Sequence, residues 1–451
     1  MLPELRAVLG DRLDTSPDAL EAVRGDRSGY VSAGTPLGIV HAESVEDVQA
    51  TLRWAHTHRV PVVTRGAGTG LAGAATAGPG EIVLSTARMT RIHEINDVDL
   101  LAVIEPGIIN ADLNAVLAEH GLWFAPDPAS RAISTVGGNI ATNAGGLLCA
   151  KYGVTREAVL ALDVVLADGS LISMGHRSVK GVTGLDLTAL MVGSEGLLGV
   201  IVGATVRLRR AIPGPVHTIA AYFPSVRAAA EASVAIGRAG LTPAIMELLD
   251  ATCLATVHAH LGRAVPPLGQ SQLVLRTDGP DARAAAEAAL GILRAHGGIA
   301  ELAASDQEGE DLLIVRRAMH PALETLGYPL IEDVSVPRSR LAEMFDAIAE
   351  VSERFGIPIP TLSHAGDGNL HPNLIVDGPE VPERVWEAAH ALFQACLALG
   401  GTLSGEHGIG VLKQRWLAEE LGETQHELQR RIKLAFDPLN ILNPGKVFST
   451  R

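Results

Sequence analysis

From residue 36 onward, apolar and polar positions switch between the two-residue period of a strand and the 3.6-residue period of a helix. "GIVHA" reads as a strand. "SVEDVQATLRWAHTHR" carries apolar residues at helical spacing behind a Ser N-cap, with a Glu that completes a capping box. "VPVVTRG" and "GEIVLST" are strands, and "NADLNAVLAEHG" is a helix closed by Gly121. "EAVLALDVVLADGSLISMG" is a hairpin about an Asp-Gly turn, and "GVIVGATVRLRR" is the last strand of the region. The pattern predicts an N-terminal helical segment over residues 1–36 and an α+β domain over residues 37–210.

After "AIPGP" the pattern changes. Alanine-rich helices ("SVRAAAEASVAIGRAG", "DARAAAEAALGILRAHGG") alternate with strands ("SQLVLRTD", "PIPTLSHAG", "LHPNLIVD"). That alternation predicts a second domain, residues 213–400, built as a sheet covered on one side by helices. Residues 401–451 end in the turn-rich "FDPLNILNPGKVF", expected to dock back onto the first domain. The fold class is α+β with two domains.

Composition narrows the options. A chain of 451 residues is too long for a single core. With 47% hydrophobic and 19% charged residues it is a well-packed globular protein. A net charge of −15 argues against a nucleic-acid partner, whose phosphates need Lys and Arg, and leaves room for a local basic pocket. Cys149, Cys253 and Cys396 are scattered and odd in number, so they form no disulfide framework, zinc knuckle or iron–sulfur set. A reducing cytoplasm fits them. The N-terminal residues carry charges throughout and do not read as a signal peptide. No apolar run of about 18 residues predicts a transmembrane segment, and a peripheral contact with the inner face of a membrane stays open.

Two kinds of motif carry chemistry. "SHAGDGNLHPN", residues 363–373, places two histidines on either side of Asp367-Gly368. A two-residue type I′ turn there would pair His364 with His371 and bring their Cβ atoms to about 4.5–5.5 Å, close enough to share a metal. A hairpin with a polar wet face is the alternative. "RGAGTGLAG", residues 65–73, spells Gly-x-Gly-x-x-Gly, yet "AATAGPG" and a strand follow where a nicotinamide fingerprint needs a helix. Its glycines still suit an anion nest, with Arg65 and Thr69 as added donors, or a plain tight turn. "PDPASRAISTVGGNIATNAGG" and "GSEGLLGVI" are two further glycine-rich segments, and three in one domain point to one large cofactor wrapped by several loops.

The order "PVVTRGAGTGLAG", "PDPAS…TVGGNIATNAGG", "GSEGLLGVI", "HAGDGNLH", "SGEHGIG" and "NPGK" resembles the FAD-linked D-2-hydroxyacid dehydrogenases. These include D-lactate dehydrogenase, the glycolate oxidase catalytic subunit and D-2-hydroxyglutarate dehydrogenase, within the vanillyl-alcohol-oxidase flavoprotein superfamily. The resemblance covers nearly the whole chain. It implies an FAD-binding domain over residues 37–210, a substrate (cap) domain with an antiparallel sheet over 213–400, and a C-terminal segment completing the active site. Arg65, Gly66, Ala67, Gly68, Thr69 and Gly70 would hold the pyrophosphate. Pro126, Asp127, Gly137, Gly138, Thr142, Gly145 and Gly146 would line the adenine, ribitol and flavin. Glu195 and Ile201 would reach the adenine side, and Asn443 would approach the isoalloxazine. Without a histidine in loop 65–73, the FAD is expected to be non-covalent.

The resemblance also implies a divalent metal (Zn, Mn or Fe) on His364, His371 and Glu406, with His407 as general base. A metal-free polar hairpin facing the flavin is the alternative. Substrate hydroxyl and carboxylate would chelate the metal, which lowers the hydroxyl pKa; His407 would take the proton and the flavin the hydride. Arg316 falls where the family's Leu-Trp-x-x-Arg pattern binds the substrate carboxylate, although Leu313 replaces the tryptophan. The alternative makes Arg316 and Arg317 solvated helix-face charges. Lys413 is expected at the surface.

In "YPLIEDVSVP", Ile331 stands where D-2-hydroxyglutarate dehydrogenases resemble one another in a lysine for the second carboxylate, and His320 stands where a threonine would be. The expected substrate is therefore D-lactate, glycolate or a longer monocarboxylate, with D-2-hydroxyglutarate as the alternative. Electrons would pass to an external acceptor: a quinone, an electron-transfer protein or dioxygen. A homodimer follows from the resemblance. Rival readings are an ether-lipid or alditol enzyme of the same superfamily and a flavoprotein subunit needing a partner.

Overall fold

The computed structural model describes residues 1–266, 269–378 and 380–449. The chain divides into two compact units, one of residues 1–146, 153–211 and 406–451, the other of residues 147–152 and 212–405.

Among the described residues, the first unit holds two larger sheets and a two-stranded pair, Leu122–Trp123 with Arg209–Arg210. Strands Gly38–His41, Ile82–Ser85 and Val62–Arg65 run parallel, with Leu13–Asp14 antiparallel at one edge. The helix Val45–His58 makes the crossover between the first and last of these. Ser44 caps it by accepting from Asp47 N–H at 3.3 Å, and the returning carboxylate is Asp47, which accepts from Glu43 N–H at 3.0 Å. The acid that closes this cap is therefore Asp47 rather than a glutamate. The second sheet is antiparallel, in the order Ile92–Asn96, Leu101–Ile104, Val200–Arg207, Val159–Val165, Leu171–Gly175. One apolar cluster, around Val40, Leu52, Val62 and Leu84, also takes in Val165, Val200 and Val202 of the antiparallel sheet, and a second gathers around Ile104, Leu113, Ile140 and Val206. The N-terminal segment contains two helices, Leu2–Leu9 and Pro17–Ala22.

The C-terminal segment belongs to this unit. Val62 N–H donates to Ile441 O at 2.7 Å, and Asn443 N–H donates back to Val62 O at 2.9 Å. Asp437 accepts from Ile441 and Leu442 N–H, and buried Lys433 bonds Asp437 and the carbonyls of Leu197 and Leu442.

The second unit is one eight-stranded antiparallel sheet with the order Ile299–Leu302, His217–Phe223, Ser271–Thr277, Ile245–Asp250, Thr361–His364, Asn369–Val376, Tyr328–Ile331, and Val334–Ser335 also on Asn369–Val376. Amphipathic helices Val226–Arg238, Ala282–Ala295 and Leu341–Phe355 bury their alanine and leucine stripes. Residues 147–152 interrupt the first unit's sequence to join this one. Leu147 and Leu148 pack on Ile245, Val274 and Leu313, while Tyr152 Oη donates to Asp278 at 2.6 Å and Lys151 pairs with the same carboxylate. Among the described residues, no helix is long and apolar enough to cross a membrane.

Candidate functional site

In the first unit, strand Val62–Arg65 ends in the glycine loop. Among the described residues, the N–H groups of Gly66, Ala67, Gly68, Thr69 and Gly70 meet no acceptor, which leaves five consecutive donors facing a ligand's side of the loop. Arg65 does not point outward with them: its guanidinium donates to Ala75 O at 2.7 Å and props the loop from beneath. A Cβ on Gly66 would collide with Thr135 Oγ1, so this position needs glycine for the loop to sit against the cap of helix Val136–Thr142. Gly137 N–H donates to Pro106 O at 2.7 Å and Gly138 N–H to Thr135 Oγ1 at 3.2 Å. These two glycines offer close approach rather than free donors. A cleft of about 480 Å³ opens beside Ala67 and Thr135, walled by Ile92, Ile108 and Val116.

Pro126 O accepts from Asn110, Asp127 is buried, and Thr142 Oγ1 donates to Gly138 O at 3.2 Å. Ile201 is buried in its strand opposite Val164. Glu195 and Asn443 are both buried and bond to one another, and Glu195 also bonds the turn that follows Glu406. The Glu195 carboxylate accepts from Ile409 N–H at 2.8 Å and Gly410 N–H at 2.9 Å, and Asn443 Nδ2 donates to Glu195 O at 2.6 Å. Burial pushes the Glu195 carboxyl up to about 7, against those two N–H groups and the nearby Lys413 charge. Lys413 is 4% exposed and not a surface residue; it lies close enough to Glu195 to act on its charge. The turn that Glu195 holds carries Glu406 and His407, with His407 Nε2 4.0 Å from Glu406 Oε1. Glu406 packs on Gly145 so closely that a Cβ there would meet its carboxylate.

In the second unit, the histidine hairpin differs from expectation. His364 pairs with Asn369 and His371 with Leu362, so Ala365–Gly368 form a four-residue loop. Asp367 Oδ1 accepts from Asn369 N–H at 3.1 Å and Gly368 N–H reaches His364 O at 3.0 Å, which stabilises the wider turn over a type I′ turn. The histidines are diagonal rather than opposed, yet share one face, with ring centroids 5.2 Å apart. Both are buried.

Each histidine has a buried carboxylate behind it. Glu247, wholly inaccessible, accepts from His364 Nδ1 at 2.7 Å and from Arg316 Nε at 2.5 Å. Burial pushes the Glu247 carboxyl up, but His364 and Arg316 together outweigh it and hold it below the usual range. With Nδ1 turned to Glu247, His364 would ligate a metal through Nε2. Asp333 Oδ1 lies 3.7 Å from His371 Nδ1 and accepts from Asn369 Nδ2 at 2.7 Å. Nitrogen donors backed by carboxylates fit a divalent first-row metal. Arg316 is 14% exposed and ion-paired, whereas Arg317 is 54% exposed and bonds Glu310. Ile331 sits in the strand opposite Asn373, and His320 is exposed. Glu247 was not singled out from the sequence. Its signal is a lone charge inside the apolar strand "AIMELLD", which demands a partner.

Residues 36–175 match the FAD binding domain family, and residues 212–447 match the C-terminal domain of FAD linked oxidases. The chain is 37% identical over 422 residues to glycolate oxidase subunit GlcD of Bacillus subtilis, covering 92% of this chain and 89% of the relative. It is 39% identical over 413 residues to D-lactate dehydrogenase of Archaeoglobus fulgidus, covering 91% and 90%. It is 32% identical over 457 residues to D-2-hydroxyglutarate dehydrogenase of Stutzerimonas stutzeri, covering 96% of each. Among solved structures, p-cresol methylhydroxylase superposes with a TM-score of 0.82 at 18% identity, over 99% of this chain and 96% of that one, a likeness of fold.

Proposed function

As a member of the FAD-linked oxidases, this chain is an FAD-dependent oxidoreductase acting on hydroxy acids, and we propose that it oxidises a D-2-hydroxy acid to the 2-oxo acid with a divalent metal. The observation that carries the reading is the buried Arg316–Glu247–His364 chain, which joins a carboxylate-binding cation to a metal-type histidine through one acid.

Bound FAD supplies a two-electron acceptor, and a bound divalent metal supplies Lewis acidity toward the substrate hydroxyl. The chain's own residues do the rest. The N–H groups of loop 66–70 would hold the FAD pyrophosphate, with Arg65 supporting the loop. Gly137, Gly138, Gly145 and Gly146 let backbone approach the cofactor. His364 and His371 would hold the metal through ring nitrogens, and the resemblance adds Glu406 as the third ligand. Arg316 grips the substrate carboxylate through the guanidinium edge that Glu247 leaves unused. His407 accepts the hydroxyl proton while the hydrogen on the carbinol carbon leaves as hydride. Ile331, in place of a cation, favours a monocarboxylate such as D-lactate, glycolate or a longer chain; D-2-hydroxyglutarate is the second reading, supported by the 32% identical relative. The electrons pass on to an external acceptor.

The test is anaerobic reduction of the FAD-loaded protein, followed as bleaching of flavin absorbance. D-lactate, L-lactate, glycolate, D-2-hydroxyglutarate and longer D-2-hydroxy acids are mixed with it before and after chelation. Rapid bleaching by a D-acid, lost on chelation and restored by Zn²⁺ or Mn²⁺, is expected. No bleaching by any acid, in a protein holding both FAD and metal, overturns the proposal.

A further inference from the structure

Glu195 is a buried, firmly held acid of the first unit, and the reaction above gives it no part. Its backbone is left-handed, with φ 50°, a conformation that L-residues rarely hold unless the surroundings enforce it. The surroundings here do so. Glu195 N–H donates to Ala141 O at 2.8 Å, and its carbonyl accepts from Asn443 Nδ2 at 2.6 Å. That backbone aims the carboxylate at the two adjacent N–H groups of Ile409 and Gly410. The fit is close: a Cβ on Gly408 would stand 3.0 Å from the Glu195 carboxyl carbon. The far side of the same turn is held by Val411 N–H on Ala72 O at 2.8 Å and by Val447 N–H on Gly410 O at 2.7 Å.

We infer that Glu195 is a positioning residue that fixes the Glu406–Gly410 turn, and so sets the metal ligand Glu406 and the base His407. The roles of Glu406 and His407 rest on the proposed function; the clamp itself does not. Two N–H groups pointing the same way need two acceptor atoms. A carboxylate supplies both. An amide of the same shape supplies one and turns an N–H toward the other, so one bond is lost and a donor faces a donor. A side chain engaged this way acts through the turn it holds. Its effect is felt by whatever the turn carries, since placement within a fraction of an ångström governs both ligation and proton transfer.

The variants are Glu195→Gln and, should that one fail to fold, Glu195→Asp, which withdraws the carboxylate by one methylene. Three quantities are read on FAD-loaded protein: Zn²⁺ or Mn²⁺ affinity by chelator competition, the limiting rate of anaerobic flavin reduction, and amide exchange at Ile409 and Gly410. The expected result is normal FAD content, at least tenfold weaker metal binding, at least tenfold slower reduction at saturating substrate, and faster exchange at both amides. A lower melting temperature with wild-type metal affinity and reduction rate overturns the inference, because that is what a merely structural role gives. If the wild-type flavin is reduced by no 2-hydroxy acid, the functional proposal fails on its own, and metal affinity with amide exchange still decides the role of Glu195.

Discussion

Glu247 Oε1 accepts from His364 Nδ1 at 2.7 Å on an acid with no solvent exposure. The same carboxylate takes Arg316 on its other oxygen. A buried acid between two cationic or proton-donating partners orients both, and removing it leaves both without the group that fixes them. Glu247→Gln is expected to weaken metal binding by roughly 10–100-fold, the usual cost of losing the acid behind a ligating histidine. It should also destabilise the fold by about 3 kcal/mol or more, because Arg316 loses its counter-charge. Chelator competition and urea unfolding measure the two effects separately. Unchanged metal affinity would remove Glu247 from the site.

Arg316 offers a planar fork that lysine cannot reproduce. Arg316→Lys should raise the KM for the 2-hydroxy acid at least tenfold and leave FAD content unchanged, while Arg317→Lys, on the exposed side of the same helix, should change neither. Steady-state kinetics with an artificial electron acceptor checks this. Equal effects at the two positions would return Arg316 to the solvated helix face.

Two buried acids set a pH dependence. Burial pushes Glu195 up from 4.5 to about 7 and Asp250 up from 3.8 to about 6, against the N–H groups that each accepts. A carboxyl raised in the folded state binds its proton more tightly there than in the unfolded chain. Stability from these groups is therefore full below about pH 4 and is lost as pH rises through 6 and 7. The change for Glu195 corresponds to roughly 3 kcal/mol. Urea midpoints of the FAD-loaded protein should fall between pH 5 and pH 8, with the slope reduced in Asp250→Asn. A midpoint that rises over that range would contradict the assignment.

Lys433 is buried with its ammonium on Asp437 and on the carbonyls of Leu197 and Leu442. Lys433→Ala leaves Asp437 charged, buried and short of its cation, which should cost about 3–5 kcal/mol. The tail should become the first site of cleavage in limited proteolysis. Cleavage at wild-type rates would show that the tail is held without this pair.

The glycine loops and the strand and helix pattern were legible because each lies within a short stretch of chain. Loop 65–73 declares its turn by composition, and "AATAGPG" rules out a following helix in sequence and structure alike. What escaped depends on partners far away in sequence. Glu247 meets His364 across 117 positions, and Glu195 meets Ile409 across 214. Lys413 looks like a surface cation until its burial beside Glu195 is seen. The hairpin register was misread for a local reason: Asp367 bonds Asn369 N–H and widens the turn to four residues.

The two units are not consecutive segments of the chain, which passes between them after residues 146, 152, 211 and 405. Val62, early in the sequence, waits for Ile441 and Leu442 before its strand edge is closed. During synthesis the contiguous stretch 212–405 is complete while the first unit still lacks its closing strand and the turn that Glu195 holds. A nascent chain therefore matures its middle first. Its FAD-binding unit stays unfinished until residues 406–447 have been made, so cofactor loading follows their synthesis.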